Sequence, residues 1–299
     1  MNRAEFYLED LKSKFDKINP SEYYLAYSGG RDSHLLLWFI KEYLKEDRII
    51  PVFSNTGMEI PEIRDRALAN AQVVLTPTMK HEEIKEKYGI PLNTKASDEW
   101  VYRYQTRREQ GVSDEDMPNW IKYYAMRQVD AIEYGRQTGK LSYTVVNKKT
   151  CEAMMGGQLH KVSNKCCEFL KKKPGKKYEK ETGKRAITGI MGDESWRRKN
   201  TFKGCFRSDG KFTPLWDLTE ELRDEIEQEF DIPVPKVYDY VGQTGCAGCP
   251  YGQHGKEHGF QNTNLALSLC SEAHRKFILD YFRESYEFKG YKYEPRLFL

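Results

Sequence analysis

Long apolar runs are missing from this 299-residue sequence: no uninterrupted stretch reaches the ~18 residues that a membrane helix needs. The opening residues are charged throughout, so neither a membrane span nor a secretory leader is expected and the protein reads as cytoplasmic. A surplus of one charge is missing too. Lys and Arg number 48 against 45 Asp and Glu, a net +3, which leaves any affinity for nucleic acid to local patches. Internal repeats and low-complexity segments are absent, which excludes a solenoid or a tail-like chain. Cysteine is scarce and odd in number, seven in all, with Cys166 and Cys167 adjacent and Cys246-x-x-Cys249 further on. Without a secretion signal, that pattern favours metal or redox chemistry over a disulfide framework. What is present is 39% hydrophobic residues, enough to build the core of one large domain or two unequal ones.

The apolar residues alternate between two periods. Phe6, Leu8, Leu11 and Phe15 have roughly helical spacing; residues 23–27 form a short aromatic strand that stops at Gly29-Gly30, and residues 34–44 return to helix. Residues 49–54 repeat the strand, Asn55-Thr56-Gly57 the turn, and Pro61 opens a second helix. Residues 72–76 predict a third strand, 81–87 a short helix, and 186–191 a late strand, with Thr219 capping a helix that runs to Phe230. Repeated units of this kind imply an α/β fold, a parallel sheet flanked by helices, with ligand at the carboxyl ends of the strands where both glycine turns lie. Residues 96–140 predict a helical insertion whose Trp100, Tyr102, Tyr104, Trp120, Tyr123 and Tyr124 either pack it or stack nucleobases. Residues 171–185 carry eight Lys or Arg around Pro174-Gly175, and predict a basic loop, either closing over phosphates or simply solvated. The expected division places a nucleotide-binding domain at 1–235 and a polar, cysteine-bearing C-terminal part at 236–299 packed on it.

Residues 28–33, Ser28-Gly29-Gly30-Arg31-Asp32-Ser33, combine a preceding strand, two glycines, flanking hydroxyls and a following helix. Glycine allows positive φ and bares its N–H groups, so such a turn can wrap an anion. The helix start adds unpaired amides and the positive end of its dipole. Serine hydroxyls add hydrogen bonds, and Asp32 is suited to hold Mg2+ or to orient the loop. A Walker-type loop is absent, the nearest segment at 135–141 having the wrong spacing and ending in Leu141.

This segment resembles the SGGxDS loop of the PP-loop, or N-type ATP pyrophosphatase, superfamily and, within it, the phosphoadenosine phosphosulfate (PAPS) reductase family. Asn55-Thr56-Gly57 resembles that family's second nucleotide-contacting turn. Gly189-Ile190-Met191-Gly192-Asp193-Glu194-Ser195, with Arg197 and Arg198, resembles its later strand-end motif, and residues 214–219 resemble the opening of its late helix. These motifs cover roughly residues 20–260 in family order. The resemblance implies an adenine nucleotide alpha hydrolase-like fold. It also implies nucleotide contacts from Ser28, Gly29, Gly30, Arg31, Asp32, Ser33, Asn55, Thr56, Gly57, Gly189, Glu194, Ser195, Arg197 and Arg198, with Mg2+ accompanying ATP or another adenine nucleotide. Arginine at 197 or 198 suits a phosphate or sulfate because its planar fork donates two hydrogen bonds at once.

Four cysteines, Cys166, Cys167, Cys246 and Cys249, can hold a [4Fe–4S] cluster or a tetrahedral zinc, or remain free. Directly adjacent side chains diverge, which suits separate corners of a cubane better than one zinc. Assimilatory adenylyl-sulfate reductases have a similar arrangement around a [4Fe–4S] cluster, so resemblance points the same way. Cys151, Cys205 and Cys270 are expected to be ordinary packing residues.

The resemblance stops at the C-terminus, where the family's reductases carry an attacking cysteine in a Glu-Cys-Gly-Leu-His-like motif. No cysteine follows Cys270 here, and Leu269-Cys270-Ser271-Glu272 does not match. Three functions are therefore carried forward. The first is a transferase that adenylates a substrate with pyrophosphate release for cluster-assisted sulfur transfer, as in similar-looking DNA phosphorothioation or tRNA thiolation enzymes. The second is a PAPS or adenylyl-sulfate reductase using Cys270 or a partner's thiol, and the third a non-catalytic nucleotide sensor. The partners expected are an adenine nucleotide, a nucleic-acid substrate or sulfur-donor protein, and a second copy of the chain, with no membrane.

Overall fold

The structure, a computed structural model, describes residues 2–126, 144–192, 204–242, 244–253 and 256–295. In chain order it begins with helix α1 (Arg3–Phe15), strand β1 (Tyr23–Ala26), helix α2 (Arg31–Trp38, continued by a π-helical turn Phe39–Tyr43), β2 (Pro51–Ser54), α3 (Pro61–Asn70) and β3 (Val73–Leu75). Helices α4 (His81–Tyr88), α5 (Lys95–Glu109) and α6 (Lys148–Met155) follow, then a short turn Lys165–Cys167. The chain continues with α7 (Lys173–Thr182), β4 (Arg185–Ile187) and α8 (Glu220–Glu229), and its last helices are α9 (Lys256–Ser268), α10 (Glu272–Tyr281) and α11 (Arg283–Lys289).

These elements group into two compact units, each discontinuous in sequence: residues 1–77 with 170–244, and residues 78–169 with 245–299. The first contains the whole sheet. All four strands are parallel in the order β3-β2-β1-β4, with Leu25 opposite Pro51 on one side and Ile187 on the other, and Val52 opposite Val73. This is the expected α/β class. After β1 the chain adds β2 and β3 outward on one side, then returns to place β4 on the other. The strand order therefore reverses at β1, and the end of β1 is the place where such sheets leave a crevice for a ligand.

The core of this unit is built from the alternating and helical faces anticipated above, with Leu8, Leu11, Leu25, Leu35, Phe39 and Phe212 fully buried. α1 starts with a reciprocal cap in which the Asn2 side chain accepts from Glu5 N–H at 2.9 Å and the Glu5 carboxylate accepts from Asn2 N–H at 2.9 Å. Its buried Lys14 is held by Asp217 at 2.7 Å and Asp10 at 2.9 Å.

Two expectations are corrected. Residues 171–185 are not a loop: most of them form the end of a π-helical turn and then α7, with Pro174 buried in the first turn and Gly183 closing the helix at φ +71°. Proline reads as a break but is tolerated in a first turn, where its missing N–H has no helical partner to lose. The late strand is shorter than 186–191, because pairing of β4 with β1 ends at Ile187 and the next amide, Thr188 N–H, donates instead to Phe212 O at 2.9 Å.

The second unit is helical. Its own core gathers Leu92, Val101, Ile121, Val146, Cys151 and Val162. The described part of the aromatic insertion packs onto itself, Trp100 stacking on Tyr124 at 4.2 Å and 8° with Arg103 over the Trp100 ring; the remainder of the insertion, 127–140, lies outside the described residues. The C-terminal segment, read as polar, holds three helices that bury Leu267, Ile278 and Tyr286, with Phe282 buried between the last two.

Candidate nucleotide site and cysteine cluster

β1 is paired with β4 on one flank and with β2 on the other, where Leu25 N–H donates to Ile50 O and Tyr27 N–H to Val52 O, both at 2.9 Å, so the turn after it starts from a fixed point. Gly29 adopts φ +78°, and a Cβ there would stand 2.4 Å from the Ile63 carbonyl oxygen of α3, which excludes any side chain. Ser33 ties the turn together. Its Oγ accepts from Ser28 N–H at 3.2 Å, meets Ser28 Oγ at 3.0 Å and donates to Gly30 O at 3.0 Å. Gly30 caps α2 without a side-chain bond, leaving the helix start to its neighbours. One of them is Tyr238, whose Oη accepts from Arg31 N–H at 3.1 Å, touches Thr244 Oγ1 at 2.6 Å and would lie 2.9 Å from a Cβ on Gly30.

The loop's charged side chains turn toward α8. The Arg31 guanidinium pairs with Glu227 and with Asp224, the latter at 2.6 Å. Asp32 Oδ1 accepts from Arg223 Nη1 at 2.9 Å. Arg31 therefore offers the turn its backbone rather than its cation.

Asn55, Thr56 and Gly57 form a tight turn after β2. Asn55 Oδ1 accepts from Gly57 N–H at 3.0 Å, Gly57 has φ +74°, and buried Thr56 donates its hydroxyl to Glu59 Oε1 at 2.7 Å. Gly189 comes directly against the turn after β1: a Cβ on it would lie 3.0 Å from the Asp32 carbonyl carbon and 3.1 Å from Ser33 N. Glycine at 189 thus permits close backbone approach between the end of β4 and the first turn of α2. Glu194, Ser195, Arg197 and Arg198 lie outside the described residues.

Sequence reasoning missed Tyr238, Thr244, Arg223, Glu227 and Arg66. Most reach the loop from nearly two hundred residues away and belong to no motif. Arg66 sits on α3 one residue before Ala67, whose Cβ would lie 3.1 Å from a Cβ on Gly29. In the first turn of α2, His34 meets the Tyr27 hydroxyl through Nδ1 at 3.0 Å, and burial, then Arg66, push its pKa down to about 4.

The second unit brings the four cysteines into electrostatic reach of one another. The Cys166 thiol is raised well above its ordinary value by its hydrogen bond with Cys167, by burial, and by the proximity of Cys249 and Cys246. Burial, then Cys246 and Cys167, push Cys249 up to about 12. The Cys246-x-x-Cys249 turn is fixed by Gly248 at φ +69°, whose carbonyl accepts from Tyr286 Oη, and by Tyr251, whose Oη donates to Ser163 O at 3.4 Å near the Cys166-Cys167 pair. Among the described residues no three Cys, His, Asp or Glu side chains close on a common point as a metal site. Cys151 is buried in the core of this unit, Cys205 is partly buried, and Cys270 is buried with its Sγ directed at Ala266 O, 3.4 Å away.

Among the described residues no helix is long and apolar enough to cross a membrane. No family model matches the chain, and no curated protein matches it. Among solved structures it is similar to phosphoadenylyl-sulfate (PAPS) reductase from Candida auris in its phosphate complex. The sequence identity is 14% and the TM-score 0.41, over 82% of this chain and 97% of that one.

Proposed function

We propose that the chain is a PP-loop nucleotidyl and sulfur transferase, which binds ATP or an adenylyl nucleotide with Mg2+ on residues 28–33 and adenylates an acceptor. The observation that carries this reading is the turn after β1. A glycine that tolerates no Cβ, paired serine hydroxyls and the start of α2 meet at the point where the order of the described strands reverses. In the reaction the acceptor's nucleophile bonds to the α-phosphorus, the bond from that phosphorus to the bridging oxygen breaks, and the electron pair leaves with pyrophosphate. The chain's part is electrostatic: backbone N–H groups and hydroxyls of the turn hold the leaving pyrophosphate, and Asp32, aimed by Arg223, orients the turn. The acceptor is proposed to be a nucleic acid or a sulfur-carrying protein.

Cys166, Cys167, Cys246 and Cys249 are the proposed ligands of a [4Fe–4S] cluster. The fit is one of donor chemistry. Burial and the neighbouring thiols hold Cys166 and Cys249 protonated, and a cationic metal centre would reverse that by stabilising thiolates. Such a cluster, when bound, supplies a soft metal centre for handling sulfur. The reductase reading gains nothing from Cys270, which is buried.

Anaerobically purified protein should carry about four iron per chain and a broad absorbance near ~400 nm. It should also release pyrophosphate from ATP and Mg2+ when a nucleic-acid acceptor is supplied. Cys246→Ser should bleach the absorbance. Sulfite formed from a sulfonucleotide with thioredoxin, and no pyrophosphate, would replace adenylation by reduction; a colourless protein with one zinc would replace the cluster.

A further inference from the structure

If residues 28–33 hold a nucleotide's phosphates, the premise on which this inference rests, a cation should accompany them, and the loop's own arginine does not supply it. Arg31 is spent on Glu227 and Asp224. Arg223, the next nearest, is divided between Asp32 at 2.9 Å and Asp224 at 3.3 Å.

Arg66 is differently placed. It lies on α3 between the two residues that wall in Gly29, Ile63 through its carbonyl and Ala67 through its Cβ. Its Nη2 donates to Pro233 O, which anchors one edge of the guanidinium. Its Nη1 is buried and has no hydrogen-bond partner, and the two carboxylates that act on its charge, Glu227 and Glu62, do so through space without bonding it. The surroundings locate its charge. It acts on Tyr27, which precedes Ser28, on His34 in the first turn of α2, and on Tyr238, whose hydroxyl covers the Arg31 amide. Tyr27 and His34 flank the turn on its strand side and its helix side, and Tyr238 stands against Gly30 and the Arg31 amide. A buried guanidinium N–H with no acceptor is costly, and a group of that kind beside an anion cradle implies an acceptor that arrives with the ligand.

We propose that Arg66 is the phosphate-binding cation of this site, its Nη1 donating to a phosphate oxygen of the bound nucleotide while Nη2 stays on Pro233 O. The fixed edge makes the fork stiff, so the free edge meets the anion with little further ordering. Arg66 then contributes to the affinity for the phosphate chain and not to that for the nucleoside, and its charge adds to the turn's hold on pyrophosphate as the α-phosphorus bond breaks.

The test is calorimetric titration of full-length wild type, Arg66→Gln, Arg66→Lys and Ser28→Ala with ATP and separately with adenosine, with thermal midpoints recorded for each. Arg66→Gln should weaken ATP binding about 10-fold or more, the loss expected for one charge-assisted hydrogen bond, and leave adenosine affinity within about two-fold. Arg66→Lys should fall between, since an ammonium keeps the charge without the fork. ATP affinity unchanged in Arg66→Gln, or ATP and adenosine weakened by the same factor, would overturn the proposal. If Arg66→Gln does not fold, the same ratio read in Arg66→Lys decides. Wild-type protein that binds no ATP removes the phosphate-turn reading and Arg66's role together. ATP binding lost in Ser28→Ala but kept in Arg66→Gln removes Arg66 alone.

Discussion

His34 shows how a single residue reports on the packing around the turn after β1. Its ring is held neutral, chiefly by burial and secondly by the Arg66 charge, which push its pKa from 6.5 to about 4. Between those values the unfolded chain binds the proton and the folded chain does not. Stability is therefore fully present above pH 6.5 and is lost as pH falls toward 4. The thermal midpoint of the sheet-bearing unit should drop across that window, and His34→Asn, which keeps a polar group beside the Tyr27 hydroxyl and cannot titrate, should flatten the drop. A variant as acid-sensitive as wild type would assign the effect to other groups. The same burial explains why Arg66 escaped sequence analysis: among alternating charges in residues 62–66 it looks like one more solvated helix residue, and only the packing of α3 on Gly29 distinguishes it.

At the scale of elements, α8 is the support behind the turn, since Arg223, Asp224 and Glu227 all project from it onto Arg31 and Asp32. Thr219 starts this helix by accepting from Leu222 N–H at 3.3 Å. Thr219→Ala should cost about 1 kcal/mol of stability, the ordinary worth of an N-cap, measured as a shift in urea midpoint; no shift would mean the helix start is held by packing alone. Elements made from strong local periodicity were legible: α1, β1 to β3, α3, α4 and the Thr219 cap all lie where the spacing of apolar residues puts them. Those that depend on context were not. Pro174 disguised α7 as a loop, and the C-terminal helices α9 to α11 read as polar because their buried residues, Leu267, Ile278 and Tyr286 among them, are set among many charged and polar ones. The turn after β1 was visible from its glycines, whereas Tyr238 and Glu227 join it only through contacts that span 207 and 196 residues.

For the whole molecule, the chain passes between its two compact units three times, after residues 77, 169 and 244. The sheet is thus incomplete until β4 and α8 have been made, long after β1 to β3. A chain ending at residue 169 would leave β1 without its β4 partner and Arg31 without Glu227; it should fail to unfold cooperatively when heated, and a sharp transition in its near-ultraviolet circular dichroism would show that β4 is dispensable. In the complete protein the position of β1 has another outcome. With a strand bonded along each side, its amides at Leu25 and Tyr27 belong to the segment expected to exchange with deuterium last. The turn of residues 28–33 hangs directly from that segment. Under the proposed function, nucleotide binding should leave β1 silent in an exchange experiment while the amides of residues 28–34 slow, so the slowest clock in the fold serves as the internal reference for its most responsive part.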